Sequence, residues 1–252
     1  IDDPEIMEVG EGELTAYLDF LARHPGTAER IARKLVVRFV SDTPPASLVS
    51  RMASIYLANH TAIAPVLRAL FTSAEFAAST GQKIRTPQED LYALVRALGV
   101  TVSRTKDELL SLNWLLSTSG HAPMDWTTPD GFPDDPAHFA TPAVAIGKLN
   151  THTDIACNWW PRLSGYPTPV TPNGSGLRRL LPTPLPATHR EMVQAMARRV
   201  LFTPLDETTL DAVLTYFGTS KDAPVTENSQ LVTWRLGYLV ALLFDSSAHA
   251  IR

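Results

Sequence analysis

Helical periodicity constrains this chain more than any other feature. Between Thr27 and Val40 the apolar residues recur at intervals of three and four positions, and basic residues occupy the opposite side. The same pattern returns over His189–Leu201. This spacing places apolar side chains on one face of an α-helix, which other elements must cover. Because alternating β-branched runs with hairpin turns are nearly absent from the sequence, the predicted fold class is all-α, a single domain of about ten helices.

Explicit start signals support these helices. Thr86, Thr105 and Thr188 are each followed three residues later by Glu, the capping-box pattern, and Thr141 precedes a proline at the favoured first helical position. The helices are predicted near 11–23, 27–40, 45–58, 62–77, 87–98, 106–119, 142–157, 189–202, 207–218 and 229–249, roughly 60% of the chain against a usual third. The last one is apolar on nearly every side, so we expect it to be central and buried.

Two segments, 120–141 and 159–187, interrupt the helical pattern. They contain most of the prolines between Pro123 and Pro186 together with several bulky aromatic residues. Because exposing large aromatic rings to water is costly, we predict ordered irregular layers rather than disorder. A weak internal helical repeat is also predicted, since Leu70–Phe76 resembles Leu243–His249.

Composition excludes several function classes. The 252 residues carry a net charge of −4, which argues against a strongly basic nucleic-acid binder, so we expect no nucleic-acid partner. A single cysteine excludes an internal disulfide framework and a cysteine-only zinc site. The longest near-apolar run, Leu236–Phe244, is shorter than the about 20 residues that a membrane-spanning helix needs, so no transmembrane segment is expected. Because the chain starts at Ile1, we expect that a further part of the protein precedes it.

A family resemblance rests on several blocks that occur in a fixed order. They are His24-Pro25-Gly26-Thr27-Ala28, Ile31-Ala32-Arg33-Lys34-Leu35, Arg38-Phe39-Val40-Ser41-Asp42, the run Leu67–Phe76, Arg96-Ala97-Leu98-Gly99, Gly120-His121-Ala122-Pro123 and Pro129-Asp130-Gly131-Phe132-Pro133. Together they resemble a large bacterial family catalogued as "domain of unknown function 1800". The chain departs from the family pattern at His121, where Gln is usual, and at Ala248-His249, where the family ends in Glu-Phe.

The resemblance implies a cellular context but no activity. Family members are longer, so the chain resembles a C-terminal half, and a missing N-terminal half or another protein subunit is an expected partner. Members are commonly exported and often encoded beside an exported sulfatase-related family, so the implied location is periplasmic or extracellular, and the implied partners include that sulfatase-related protein. No catalytic residues can be carried over from the family.

Aromatic residues are the strongest functional signal from the residues themselves. Asn173-Gly174-Ser175-Gly176 does not match the nucleophile motif Gly-x-Ser-x-Gly, and phosphate-binding glycine loops are lacking, so catalytic residues remain unknown. The candidate ligand-binding residues are Trp126, Phe132, His138, Trp159, Trp160 and Tyr166. Flat rings beside polar groups can stack on a ligand, whereas buried rings would only fix the irregular segments to the helices. We expect segments 120–141 and 159–170 to pack together and form the ligand groove, with His121 at its polar rim.

Metal binding is the alternative chemistry. Asp125, Asp130 and Asp134 could bind a hard divalent cation through carboxylate oxygens, although aspartates in loops more often cap turns. The set His152, Asp154 and Cys157 cannot share one ion within a helix, because at 100° per residue His152 and Asp154 point about 160° apart. We expect no cofactor, and Cys157 is predicted to be a buried small hydrophobic residue.

The leading hypothesis for function is a non-enzymatic binding or scaffold module of an exported bacterial protein, with a protein or a glycan as its ligand. The alternative is a hydrolase acting on polysaccharide or another polymer. Paired carboxylates would supply its acid and base, drawn from Asp125, Asp130, Asp134 and Asp135.

Overall fold

The structure, a computed structural model, describes residues 4–134, 136–169 and 174–251. Within these ranges the regular elements are helices, and β-structure is limited to isolated bridges, so the predicted all-α class is confirmed. The chain divides into two compact units, residues 1–83 and 84–252, each with its own buried cluster. The grouping of all helices into one domain stays a prediction. No helix in the described ranges is both long and apolar enough to cross a membrane.

The first unit is a small helical bundle. Its helices are α1 (Pro4–Arg23), α2 (Pro25–Phe39), α3 (Ala46–Ala58), α4 (Ile63–Phe71) and α5 (Ala74–Ala77). The small face of α2, with Ala28 and Ala32 fully buried, packs in one cluster with Leu48 and Met52 of α3 and Leu70 of α4. By contrast, the aromatic and leucine side chains of α1 are exposed, so the core of this unit lies among α2, α3 and α4.

The second unit holds the larger core. Its elements are α6 (Pro87–Ala97), α7 (Lys106–Thr118), α8 (Pro136–Phe139), α9 (Pro142–Ala156), the 3-10 helix Gly176–Leu180, α10 (His189–Val200), α11 (Glu207–Tyr216), α12 (Leu236–Phe244) and α13 (Ser247–Ala250). Helix α12 contacts α9, α10, α13 and the 3-10 helix, and seven of its nine residues are buried. Its all-round apolar composition therefore corresponds to a central position, as the sequence predicted.

The last helix is shorter than predicted, however. Instead of running continuously over 229–249, the chain forms turns up to Arg235, and α12 then ends before the break at Asp245 and Ser246. The hydroxyl of Ser246 donates to the carbonyl of Leu243 at 2.6 Å, which competes with the helical bonding pattern at this point. Ser73 makes the same contact with Leu70 at 2.7 Å between α4 and α5, so the two segments of the predicted repeat share this local structure.

Local cap chemistry was predicted well with one exception. Thr86 and Thr188 form complete capping boxes, and Thr141 accepts the backbone N–H of Val144. The predicted box at Thr105 is wrong, because its side chain makes no cap bond. The carboxylate of Glu108 instead accepts backbone N–H groups from two loops, which is a non-local use that the local motif could not indicate.

The irregular segments contribute to the core. Leu163, Leu177 and Leu181 from segment 159–187 are buried in the same cluster as α12, and Ala122 joins it from segment 120–141. The peptide bonds Trp160-Pro161 and Thr183-Pro184 are cis. The described parts of both segments are therefore packed on the helices through apolar side chains.

Candidate functional site

One cavity gathers two of the predicted ligand-binding residues. It has a volume of about 570 Å³ and lies where the C-terminal end of α9 meets the beginning of α12. We call it the aromatic pocket, defined by Asn158, Trp159, Tyr166, Trp234 and Tyr238. Its size is within the about 300–1,000 Å³ that small-ligand sites usually occupy.

Three rings of the aromatic pocket are arranged edge to face. The centroids of Trp159 and Tyr238 are 5.7 Å apart and those of Trp234 and Tyr238 are 6.4 Å apart, with interplanar angles of 80° and 86°. Trp159 is 53% exposed and Trp234 is 54% exposed, which is high for indole rings. Exposed indole faces that are already fixed by an aromatic neighbour can stack on a ligand with little loss of conformational entropy.

An unpaired acceptor lies in the same pocket. Asn158 follows α9 with a left-handed backbone (φ 52°), and its Oδ1 atom is buried without a hydrogen-bond partner in the structure. Leaving a buried acceptor unsatisfied costs about 1–3 kcal/mol. A ligand that donates a hydrogen bond would remove this penalty once the Asn158 side chain turns its oxygen toward the pocket, so Asn158 favours a ligand with a hydroxyl or amide donor.

The remaining polar groups of the pocket are fixed or unreactive. The Tyr166 hydroxyl donates to the Ala156 carbonyl at 2.5 Å, and burial raises the pKa of this phenol. Burial, together with the nearby charge of Asp154, raises the pKa of Cys157 to about 11. The Cys157 thiol is thus protonated at neutral pH and is not an activated nucleophile.

The other predicted ligand-binding residues lie elsewhere. Trp160 packs edge to face on Trp114, with ring centroids 5.0 Å apart. Trp126 contacts Phe132 and His138 at centroid distances of 4.9 and 5.1 Å. Trp160 of segment 159–187 thus contacts a helix residue, whereas Trp126 of segment 120–141 contacts rings of its own segment. The packing of the two segments on each other stays a prediction.

His121 packs among the aromatic rings around Trp126 and does not form a solvent-facing rim. It is buried, with its ring 4.5 Å from Phe132 and 4.8 Å from Phe139. In these contacts His121 packs against rings of its own irregular segment.

The loop carboxylates are involved in local contacts. Asp130 accepts hydrogen bonds from Trp126 Nε1, at 3.3 Å, and from the Thr128 hydroxyl. Among the described residues, Asp125, Asp130 and Asp134 do not converge as a set of three possible metal ligands, and Asp135 lies outside the described residues. The loop metal site therefore stays a prediction without geometric support.

Sequence reasoning missed a second site, which is buried in the larger unit. We call it the Asp–His cluster, defined by Asp90 of α6, His152 of α9, Asp245 after α12 and His249 of α13. His152 Nε2 lies 2.7 Å from Asp90 Oδ2, and His152 Nδ1 lies 2.7 Å from Asp245 Oδ1. His249 Nε2 lies 3.2 Å from Asp90 Oδ1. Within the described residues, Asp90, His152 and His249 bring three possible ligand atoms within 4.8 Å of one another.

The electrostatics of the Asp–His cluster follow from this geometry. Burial alone would raise the pKa of Asp90, but the adjacent imidazoles and the ammonium of Lys148 hold it well below its usual range. Burial alone would lower the pKa of His152, but its bonds to Asp245 and Asp90 raise it to about 9. The pKa of His249 is lowered by burial and by the charge of His152. At neutral pH, His152 is therefore a cation between two carboxylates, and His249 is neutral.

Backbone contacts hold the cluster in place. Lys148 Nζ lies 3.5 Å from Asp90 Oδ1 and donates to the Arg85 carbonyl at 2.9 Å. Arg85 Nε in turn donates to the His249 carbonyl at 2.7 Å, and Arg85 N donates to the Ala250 carbonyl at 2.8 Å. These bonds attach the end of the chain to the segment that leads into α6.

A second cavity reaches the cluster at His249. It has a volume of about 550 Å³, and its lining includes Arg85, Tyr92, Arg96, Phe202 and His249. We call it the His249 cavity. The guanidinium groups of Arg85 and Arg96 and the carboxylate of Glu89 place charges of both signs along its wall.

One local signal could have indicated the cluster. Asp90 lies on the apolar face of α6, beside the buried residues Leu91 and Leu94. A charged residue on an otherwise apolar helix face requires a buried partner. Its partners are distant in sequence, with His152 62 positions away, so their identity was not readable from spacing.

Comparison with known proteins identifies one match. A family model described as "Protein of unknown function (DUF1800)" matches residues 3–251. Neither curated proteins nor solved structures gave a match.

Proposed function

Since the chain belongs to the DUF1800 family of proteins of unknown function, we propose that it is a non-enzymatic module of an exported protein and that it binds a glycan in the aromatic pocket. The exported context rests on the properties of the family. The choice of a glycan over a protein ligand rests on the chemistry of the pocket.

The observation that carries this proposal is the combination of exposed indole rings with an unpaired amide oxygen. Trp159 and Trp234 present exposed indole rings, the Trp234 ring also has the Arg235 guanidinium 4.8 Å from its centroid, and Asn158 Oδ1 is a buried acceptor without a partner. A sugar ring has both complementary features, because its C–H faces stack on indole rings and its hydroxyls donate hydrogen bonds. The volume of about 570 Å³ has room for a short oligosaccharide segment.

The recognition that we propose does not depend on the charge of the ligand. Arg162 lines the aromatic pocket, and the Arg235 guanidinium lies 4.8 Å from the centroid of the Trp234 ring. Stacking and hydroxyl recognition need no net charge on the ligand. We therefore choose neutral oligosaccharides as test ligands, because they separate stacking and hydroxyl recognition from charge.

The hydrolase alternative has weaker support. The Asp130 carboxylate accepts hydrogen bonds from Trp126 and Thr128 in its own loop, an arrangement typical of a turn-stabilising aspartate. A paired acid and base would need two carboxylates facing each other across about 5–9.5 Å of cleft.

Binding to a panel of neutral oligosaccharides, measured by isothermal titration calorimetry, tests the proposal. We expect Trp159→Ala and Trp234→Ala each to weaken binding by about tenfold or more, the equivalent of about 1.4 kcal/mol. The matched control is Trp114→Ala, since Trp114 is 56% exposed and lies outside the aromatic pocket. Equal losses for Trp114→Ala and Trp159→Ala, or no binding of any neutral oligosaccharide by the unmodified protein, would contradict the proposal.

A further inference from the structure

We propose that Asp90, His152 and His249 ligate a divalent transition metal ion of the Zn²⁺ class. The proposal is independent of glycan binding, because these residues lie outside the aromatic pocket. Two imidazoles and one carboxylate are a common ligand set for Zn²⁺ in proteins.

The three ligand atoms lie within 4.8 Å of one another, so the set needs only small side-chain movements to reach the spacing around such an ion. Tetrahedral bonds of about 2.0–2.1 Å place ligand atoms about 3.3–3.4 Å apart. His249 Nε2 and Asp90 Oδ1 are 3.2 Å apart, close to this value. His152 Nε2 and Asp90 Oδ2 are 2.7 Å apart, so they would separate by roughly 0.6 Å when an ion replaces the Nε2 proton of the His152 cation, which is released to solvent as the metal binds. That displacement is within the reach of a side-chain rotation.

The state of His249 is the observation that points to a ligand. This residue is only 3% exposed, and its Nε2 atom is buried without an aligned hydrogen-bond partner in the structure. The nitrogen lies 3.2 Å from Asp90 Oδ1, yet the contact lacks hydrogen-bond geometry. A metal ion between the two groups would satisfy both, because a neutral imidazole nitrogen is a good donor of an electron pair.

Asp245 provides the outer support that metal-binding histidines usually have. Its carboxylate lies 2.7 Å from His152 Nδ1, the ring nitrogen opposite the proposed metal-binding Nε2. Such a carboxylate fixes the tautomer of the histidine and increases its basicity toward the metal. Asp245 therefore acts as a positioning residue.

Lys148 opposes the ion and helps to determine which ion fits. Its ammonium lies 3.5 Å from Asp90 Oδ1 and is held there by the carbonyl of Arg85. A hard cation binds mainly through carboxylate oxygens. In this ligand set only the Asp90 carboxylate would offset the repulsion between such a cation and the Lys148 ammonium. An ion that gains most of its binding from imidazole nitrogens tolerates it better, which favours Zn²⁺ over Mg²⁺ or Ca²⁺.

The His249 cavity gives the proposed ion access to solvent. Three protein ligands are one fewer than a closed structural zinc site uses. His249 lines this cavity, so an ion bound to it lies at the boundary between the buried cluster and the cavity.

Metal titration of the whole chain tests the proposal. The protein is first treated with a chelator, and Zn²⁺ is then titrated in competition with a chromophoric indicator, with Co²⁺ as a spectroscopic substitute. We expect one ion per chain and visible Co²⁺ bands typical of nitrogen and oxygen ligation. His249→Ala should weaken Zn²⁺ binding by about 100-fold or more, and Asp245→Asn by about 10–100-fold.

The matched control is His189→Ala. His189 is also buried, but its Nδ1 bonds the Ala223 carbonyl, outside the cluster, so we expect its removal to leave Zn²⁺ affinity unchanged. If His249→Ala fails to fold, the unmodified protein still gives an answer, because binding to the folded state must raise its Tm with increasing Zn²⁺. A folded unmodified chain that takes up no ion, or Zn²⁺ binding that His249→Ala and Asp245→Asn leave unchanged, overturns the proposal.

Discussion

Asp90 shows how much a single residue contributes to the larger unit. Its carboxylate is 2% exposed and is shared by His152, His249 and Lys148. Removing one partner of a buried charged group leaves the other partners uncompensated, which costs far more than the loss of a surface ion pair. The side chain is therefore a structural requirement as well as the proposed metal ligand.

We expect Asp90→Asn to destabilise the metal-free protein by about 3–5 kcal/mol, because His152 and Lys148 lose the charge that compensates them in the interior. Urea unfolding at neutral pH would measure this loss. Asp211→Asn changes an exposed aspartate on α11 and should alter the free energy of unfolding by less than about 0.5 kcal/mol. Similar small effects of both substitutions would contradict the buried charge network.

Glu108 makes stability depend on acid pH. Hydrogen bonds from the Ser164 and Ser103 segments lower its pKa from the ordinary 4.5 to about 2. The pKa is lower in the folded state than in the unfolded state, so the contribution of Glu108 is fully present above pH 4.5 and is lost as the pH falls through 2.

The Tm difference between the unmodified protein and Glu108→Gln should accordingly be largest above pH 4.5 and should vanish toward pH 2. Thermal unfolding followed by circular dichroism across this range measures it. Glu13→Gln, on the exposed part of α1, serves as the control and should show no comparable pH-dependent difference. A constant Tm difference at all pH values would show that the Glu108 carboxylate is not the titrating group.

Two irregular segments of the larger unit approach each other closely at Gly165. The backbone N–H of Thr101 donates to the Gly165 carbonyl at 3.3 Å, and the backbone N–H of the preceding residue, Ser164, donates to the Glu108 carboxylate. A Cβ atom at Gly165 would lie 2.0 Å from the Thr101 carbonyl oxygen, a backbone atom that cannot rotate away. The segment 159–166 can therefore lie on the 101–108 segment only without a side chain at this position.

Gly165→Ala is expected to lower the free energy of unfolding by about 1–3 kcal/mol or more, because the loop must shift away from Thr101. Gly12→Ala is the control, and we expect the opposite effect on stability. Gly12 lies within α1 and has open space around it, so alanine should stabilise the helix by about 0.5–1 kcal/mol. Chemical denaturation of both variants tests the pair, and stabilisation by Gly165→Ala would refute the close approach.

At the scale of the whole molecule, two separate clusters of buried side chains form the core. Met52 is fully buried in the cluster of the first unit, and Met196 is fully buried in that of the second. Each methionine fills space that no neighbouring side chain can occupy without rearrangement.

Truncating either methionine to alanine should cost about 2–5 kcal/mol in its own unit. Amide hydrogen exchange resolves the location of the loss, because local stability sets the protection of each helix. We expect Met52→Ala to reduce protection in α2, α3 and α4, and Met196→Ala to reduce it in α9, α10 and α12. Loss of protection confined to the other unit would show that the buried clusters are wrongly assigned.

The sequence by itself determined the local features of this protein. Helix periodicity and N-cap chemistry depend on residues within about four positions of each other, so the all-α class and the capping boxes at Thr86 and Thr188 were readable from spacing. The central position of α12 was also predictable, because a segment that is apolar on all sides has no face to present to water.

Tertiary structure alone decided which candidate residues meet. The predicted aromatic residues separate among several places, and Trp159 and Tyr166 join Trp234 and Tyr238, which lie in a distant segment. Likewise, Asp90 and His152 are 62 positions apart, and no local pattern specifies that their side chains meet. Such contacts arise from the packing of whole helices, which minimises exposed apolar area over the entire unit and is not encoded in the spacing of any one segment.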